Sequence, residues 1–255
     1  MIDIHSHLLP GIDDGVADWE GSLQLARLAV KDGITHALMT PHHLNGQYVN
    51  PASKVIALTE EFQSKLDQAK IKLQVYPSQE IRINGNLIDS LEKGELLTTD
   101  EQGGYMLIEF PSNDVPAFTT EVLFELQQHG VAPVIVHPER NQMLMDKPSI
   151  LYDLIQRGAY AQVTANSYVG VFGKAVMAFS EDIIGQGLAH VLASDAHLLK
   201  GRGYNMAAAF DKLAEQVGDK EAVAFAQNAR AFVNGTDVER FNASPIKKRR
   251  LFSAY

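Results

Sequence analysis

Cysteine is absent from the 255 residues. That removes disulfide cross-links, thiolate metal ligands and every reaction that needs a cysteine nucleophile. Also missing is any apolar run near the ~18 residues that a membrane-crossing helix requires, so no membrane insertion is expected. The start, MIDIHSHLLPGIDDG, lacks the charged-then-apolar order of a secretory signal, and a cytoplasmic location is expected. Positive charge is in deficit: 22 Lys and Arg stand against 31 Asp and Glu, for a net charge of −9. So acidic a chain offers no broad basic face for nucleic acid, and any phosphate has to be gripped at a local positive site. Linkers, repeats and low-complexity stretches are missing too. With 45% apolar residues the chain can bury a substantial core, and a single domain over 1–255 is expected.

What is present is an alternation of short apolar runs rich in Val and Ile with longer segments of helical period, the pattern of repeated βα units. Strands are expected near 2–5, 34–39, 72–76, 105–110, 132–136, 160–164 and 189–193. Helices are expected over 19–31, 52–70, 117–129, 140–157, 171–186, 204–217 and 219–233. Seven strand–helix alternations imply an α/β fold with parallel strands closed, or nearly closed, into a barrel.

Polar chemistry gathers where these strands end. His5 and His7 lie two residues apart, so their side chains share a face and can reach one ion. Asp14 follows in the loop GIDDG, and the later strand ends carry TPHH, SQE, IEF, VHPER and ASDAH. These supply His42, Glu80, Glu109, His137, Asp195 and His197. In a parallel barrel all of these ends open on one rim. An isolated histidine at a strand end is ordinarily a hydrogen-bonded structural residue, and an isolated carboxylate is ordinarily solvated. The coincidence argues otherwise, since at least six of the seven strands deliver such a group at the same end. Crowded into one cavity without cations, they would repel one another and suffer severe desolvation. Bound metal resolves the conflict, and imidazole with carboxylate suits manganese, iron or zinc. His36, His129 and His190 lie in or beside apolar segments with no partner motif and read as structural. His43 adjoins His42 but can face the other way.

The ordered series MIDIHSH, GIDDG, TPHH, QE, IEF, HPER and SDAH resembles the PHP (polymerase and histidinol phosphatase) superfamily. Within it, the chain is most similar to the manganese-dependent protein tyrosine phosphatases of bacterial capsule and exopolysaccharide loci, the CpsB/YwqE type. The resemblance runs from Met1 to at least Arg202. It implies a distorted TIM-like (β/α)7 barrel and a site for three Mn2+ ions, with iron or zinc as alternatives at individual positions. By this resemblance His5, His7, Glu80 and Asp195 hold the first ion, with Glu80 bridging. Glu80, Glu109 and His137 hold the second, and Asp14, His42 and His197 the third. Arg140, in HPER, and Arg202, after SDAH, match positions that grip substrate phosphate. Four carboxylates against three divalent ions leave the site net positive, an attractive hole for a dianion in an acidic protein.

The reaction so implied is hydrolysis of phosphotyrosine by a metal-bridging hydroxide, without a phosphoenzyme. The implied substrate is a protein, a bacterial tyrosine kinase that controls capsule or exopolysaccharide assembly. A small-molecule phosphatase acting on a histidinol-phosphate-like substrate, or a nuclease, would use nearly the same ligands. A metal-binding regulatory module without turnover is disfavoured by the full ligand set and both arginines. The basic tail KKRR at 247–250 reads as a solvated terminus, with docking to an acidic partner or membrane surface as the alternative.

Overall fold

A computed structural model describes residues 1–197 and 202–246; the KKRR tail lies outside the described residues. The chain opens with β1 (Ile2–Ser6) and α1 (Trp19–Lys31), then β2 (His36–Met39), β3 (His42–His43) and α2 (Ala52–Gln68). Next come β4 (Gln74–Pro77), β5 (Glu80–Arg82), α3 (Leu87–Glu92), β6 (Tyr105–Glu109), α4 (Thr119–Gln128) and β7 (Ala132–Val136). A 3-10 turn at Pro138–Arg140 precedes α5 (Gln142–Asp146), α6 (Ser149–Gln156), β8 (Tyr160–Thr164) and α7 (Ala165–Tyr168). The described chain finishes with α8 (Lys174–Gly185), β9 (Val191–Ala193), α9 (Met206–Val217) and α10 (Asp219–Asn234).

Every strand pairing is parallel: β1, β2 and β4 form one run, and β3, β5, β6, β7, β8 and β9 the other. The two runs are one ring. β2 continues into β3 across Thr40–Pro41, and β4 into β5 across Ser78–Gln79. Backbone bonds carry the ladder through these breaks, Ser78 N donating to Met39 O and Glu80 N to Pro41 O. The strands expected at 34–39 and 72–76 are β2 and β4, and β3 and β5 continue them beyond the expected bounds, past Pro41 and Pro77, which lack the N–H that a ladder uses. The ring closes where Asp195 N donates to His5 O and His7 N to Ala196 O, both at 2.8 Å. The parallel barrel expected from the alternation, in the seven-stranded distorted form that the resemblance implies, is therefore present, with two differences of detail. Pro148 divides the expected 140–157 helix, and α3 and α7 are additional short helices.

Alternation sorts the core. Ile4, Leu38, Leu107, Val134, Val136, Val191 and Ala193 pack together inside the barrel, while Met39, Met106, Ile108, Ile135 and Leu192 face the helices. At the bottom, Phe232 of α10 meets Tyr105 and Tyr160 edge-on, with ring centroids 5.0 and 5.5 Å away. The register of β1 against β2 shifts by one residue between Asp3 and Ser6. The extra residue lets Ile4 fill the interior and still turns His5 and His7 toward the upper rim.

Phe232 has no solvent exposure. Phe232→Ala should therefore cost about 3–5 kcal/mol of stability, read as a lower midpoint in urea unfolding. A midpoint equal to wild type would mean that α10 does not seal the barrel.

Candidate metal centre

The rim brings together all eleven residues expected to form the site. Glu80, at the start of β5 and with no solvent exposure, is the hub. Its Oε1 lies 2.6 Å from His137 Nε2, and its Oε2 lies 2.8 Å from His42 Nδ1 and 3.3 Å from both His5 Nε2 and His7 Nε2. Asp195 places Oδ1 3.6 Å from His5 Nε2, 3.5 Å from His7 Nε2 and 3.3 Å from His197 Nδ1. Asp14 sets Oδ1 3.3 Å from both His42 Nε2 and His197 Nε2. Glu109 Oε2 is 3.7 Å from His42 Nδ1.

Potential ligand atoms converge in three groups: His5, His7 and Glu80; His42, Glu80 and Glu109; and His7, Asp14, His42 and His197. The grouping differs in detail from the one the resemblance implies, because His42 also faces Glu80 and Glu109, and His7 also faces the Asp14 group. His137 and Asp195 sit at left-handed backbone, φ 34° and 49°, which folds both side chains back over the rim. For residues with a Cβ that conformation costs roughly 1–2 kcal/mol each.

Glu80 Oε2, Asp195 Oδ1, His42 Nδ1 and His197 Nε2 are buried and have no hydrogen-bond partner. A buried polar atom left unpaired is expensive. These orphans are metal-ligand atoms of the chemistry that Mn2+, Fe2+ or Zn2+ accepts, all within the cluster, and so the residues fit a metal.

Arg140 and Arg202 converge on the other Asp195 oxygen, Oδ2, at 2.6 and 2.9 Å. The buried Nε of each arginine has no partner. Both arginines line a cavity of about 240 Å³ together with Asp14, His42, Glu109, His137, Asp195, Phe110 and Ser112. A cationic pair with spare donors beside a metal cluster is suited to a doubly charged oxyanion.

Three contributors had no signal strong enough to be singled out in the sequence. Asp13 Oδ2 lies 2.7 Å from His7 Nδ1, the Gln162 Oε1 lies 2.9 Å from His5 Nδ1, and Arg82 Nε donates to Glu109 Oε2 at 2.9 Å. The histidines read as structural are away from the cluster. His190 is buried against the edge of Tyr160, His129 sits at the end of α4 near Glu92, and His36 stacks on Tyr76. His43 faces away from the rim, its Nδ1 accepting from Asn50 N.

As protein groups alone, the cluster balances its charge with protons. Burial opposes protonation of His42, but the facing carboxylates of Glu80, Asp14 and Glu109 overcome it and raise its pKa to about 11. Burial likewise opposes a charge on His7, yet Asp13, with help from Glu80, raises it to about 9. Burial would lift Glu80 and Asp195, but facing histidines hold Glu80 well below the usual carboxylate range, and Arg140 with the histidines does the same for Asp195. Burial and then the Glu80 charge push Glu109 up to about 7. Burial, with Arg140 nearby, takes His137 down to about 3.

Metal requires neutral imidazoles, so binding must expel the protons that His7 and His42 hold at neutral pH. Raised pKa values mean that the competing protonated form prevails below about 9, and Mn2+ affinity should climb steadily as pH rises from 6 to 9. Each proton released adds about tenfold per pH unit. Titration of Mn2+ followed by electron paramagnetic resonance reads this directly, and a pH-independent affinity would contradict it.

A family model described as capsular polysaccharide synthesis, CpsB/CapC, matches residues 1–234. Tyrosine-protein phosphatase YwqE of Bacillus subtilis is 39% identical over 255 residues, covering 100% of both chains. CapC of Staphylococcus aureus is 33% identical, covering 94% of each, and tyrosine-protein phosphatase CpsB of Streptococcus pneumoniae is 29% identical, covering 91% of this chain and 98% of that one. A chain from the crystal structures of YwqE and CpsB, described as unique metal-dependent tyrosine phosphatases, superposes with a TM-score of 0.94 at 39% identity, covering 97% of this chain and 100% of that one. A phosphotriesterase homology protein from Escherichia coli shares the fold, with a TM-score of 0.59 at 13% identity over 90% of this chain and 97% of that one.

Proposed function

The chain belongs to the CpsB/CapC family of capsular polysaccharide synthesis, and from that premise we propose that it is a metal-dependent phosphatase that hydrolyses phosphotyrosine on proteins. One observation carries the reading. Buried ligand atoms without partners, on Glu80, Asp195, His42 and His197, stand beside two arginines whose Nε donors are also unpaired. Such a cluster is poised for cations on one side and for an oxyanion on the other.

The proposed ligands are His5, His7, Asp14, His42, Glu80, Glu109, His137, Asp195 and His197, for as many as three Mn2+ ions. When bound, such ions supply Lewis acidity toward phosphoryl oxygens and toward water. Arg140 and Arg202 hold the phosphoryl group by charge-assisted hydrogen bonds and neutralise charge that builds on its oxygens. Asp195 prealigns both guanidinium groups through Oδ2, so neither has to be ordered when substrate arrives. Absence of cysteine excludes a cysteinyl-phosphate intermediate. A tyrosyl leaving group, with a pKa of about 10, departs more readily than an alkoxide and makes less demand on a general acid.

The proposed partner is a bacterial tyrosine kinase of capsule or exopolysaccharide assembly, met in the cytoplasm on an extended tyrosine-bearing segment. No described helix is long and apolar enough to cross a membrane. A site set among loops at the rim is reached more easily by an extended segment than by a phosphotyrosine on a folded surface.

Turnover should collapse on chelation and be indifferent to thiol alkylation. Under identical Mn2+, kcat/KM on phosphotyrosine peptides should exceed that on phosphoserine peptides and on histidinol phosphate. A preference for either of the latter would overturn the tyrosine assignment and leave a phosphoesterase. Arg140→Ala and Arg202→Ala should each retain metal yet lose ~10²-fold in kcat/KM, as removal of an oxyanion contact does. Unchanged kinetics at equal metal content would remove them from the site.

A further inference from the structure

Asp13 differs from its neighbour Asp14. The Asp14 side chain is 46% exposed and faces His42 and His197, whereas the Asp13 side chain is 1% exposed and belongs to none of the clusters of potential ligand atoms among the described residues. Its two oxygens make three contacts. Oδ2 lies 2.7 Å from His7 Nδ1 and accepts from the backbone N of His42 at 3.2 Å, and Oδ1 accepts from Gly15 N at 2.9 Å. With Nδ1 engaged, His7 can present only Nε2 to the cluster, where it already lies 3.3 Å from Glu80 Oε2 and 3.5 Å from Asp195 Oδ1. The same carboxylate fixes the backbone of a second ligand, His42. The loop that carries it packs closely on His7 at Gly15, where a Cβ would run into the His7 carbonyl oxygen and Asp13 Oδ1. His5 receives the equivalent service from a neutral group, the Gln162 amide.

We propose that Asp13 is a positioning residue that locks the Nδ1–H tautomer of His7, aims Nε2 at the metal and ties His7 to His42, so that the two histidines act as one preformed half-site. The inference rests on the metal site proposed above. A carboxylate behind an imidazole also makes it a stronger donor than an amide does, so His7 is the more tightly committed member of the His5–His7 pair.

The test is the Mn2+ dissociation constant of wild type, Asp13→Asn and Asp13→Ala, read by electron paramagnetic resonance and paired with the melting temperature of each metal-free protein. Asparagine keeps an acceptor for His7 Nδ1–H and loses the charge, whereas alanine loses both. Mn2+ affinity should fall in the order wild type, Asn, Ala, with the Ala variant ~10–100-fold weaker, the range seen when such an orienting partner is removed. If the Ala variant does not fold, a weaker dissociation constant for the folded Asn variant supports the proposal alone. Dissociation constants within twofold of wild type in the folded variants, whatever their melting temperatures, would overturn it and reduce Asp13 to a loop staple. Wild type failing to bind Mn2+ would overturn the metal reading itself, and this inference with it.

Discussion

A carboxylate deprived of water has to be given positive charge, and Glu80 imposes that demand on the whole upper rim. Four imidazoles from β1, from β3 and from the end of β7 lie within 3.3 Å of its two oxygens. Each of those histidines is fixed in turn by something else: His5 by Gln162, His7 by Asp13, His42 by Asp13 through its backbone N–H, and His137 by left-handed backbone. The one-residue shift in β1 belongs to the same demand, since it frees Ile4 for the core while His5 and His7 reach Glu80. Protons can satisfy Glu80 only by leaving ligand atoms orphaned, whereas divalent cations satisfy carboxylates and neutral imidazoles together. The barrel below is ordinary apolar packing. What is particular to this chain is how many strands end in groups that cannot be buried alone.

Much of this was legible from residues alone, because period-2 apolar runs and strand-end motifs are local signals. His5, His7, Glu109, His137 and Asp195 each sit beside a run of Val, Ile, Leu or Ala that forecasts its strand. The breaks at Pro41 and Pro77 were harder to read, since the ladder continues through backbone groups of neighbouring strands that no local pattern reveals. Supporting residues were less visible for a related reason. Asp13 and Asp14 are adjacent carboxylates in one loop, and only the folded loop determines which faces the cluster and which faces His7. Gln162 lies on the strand that delivers no histidine or carboxylate, so the strand that looked silent in fact orients a ligand. Arg82 stands two residues beyond Glu80 on β5, on the same face, and that spacing was a usable signal.

The seam of the barrel has a consequence for how the protein comes into being. β1 and the segment after β9 meet at the very residues that carry His5, His7 and Asp195, and the Asp3 contact with Ser194 there spans 191 positions of sequence. Contacts of such separation form late, after the intervening units have collapsed. His5 and His7 therefore meet Asp195 only when the last strand docks against the first, whereas His42, Glu80 and Glu109 converge without either end of the barrel. The full set of facing groups is thus a property of barrel closure, since the two ends of the barrel have to meet before His5 and His7 face Asp195.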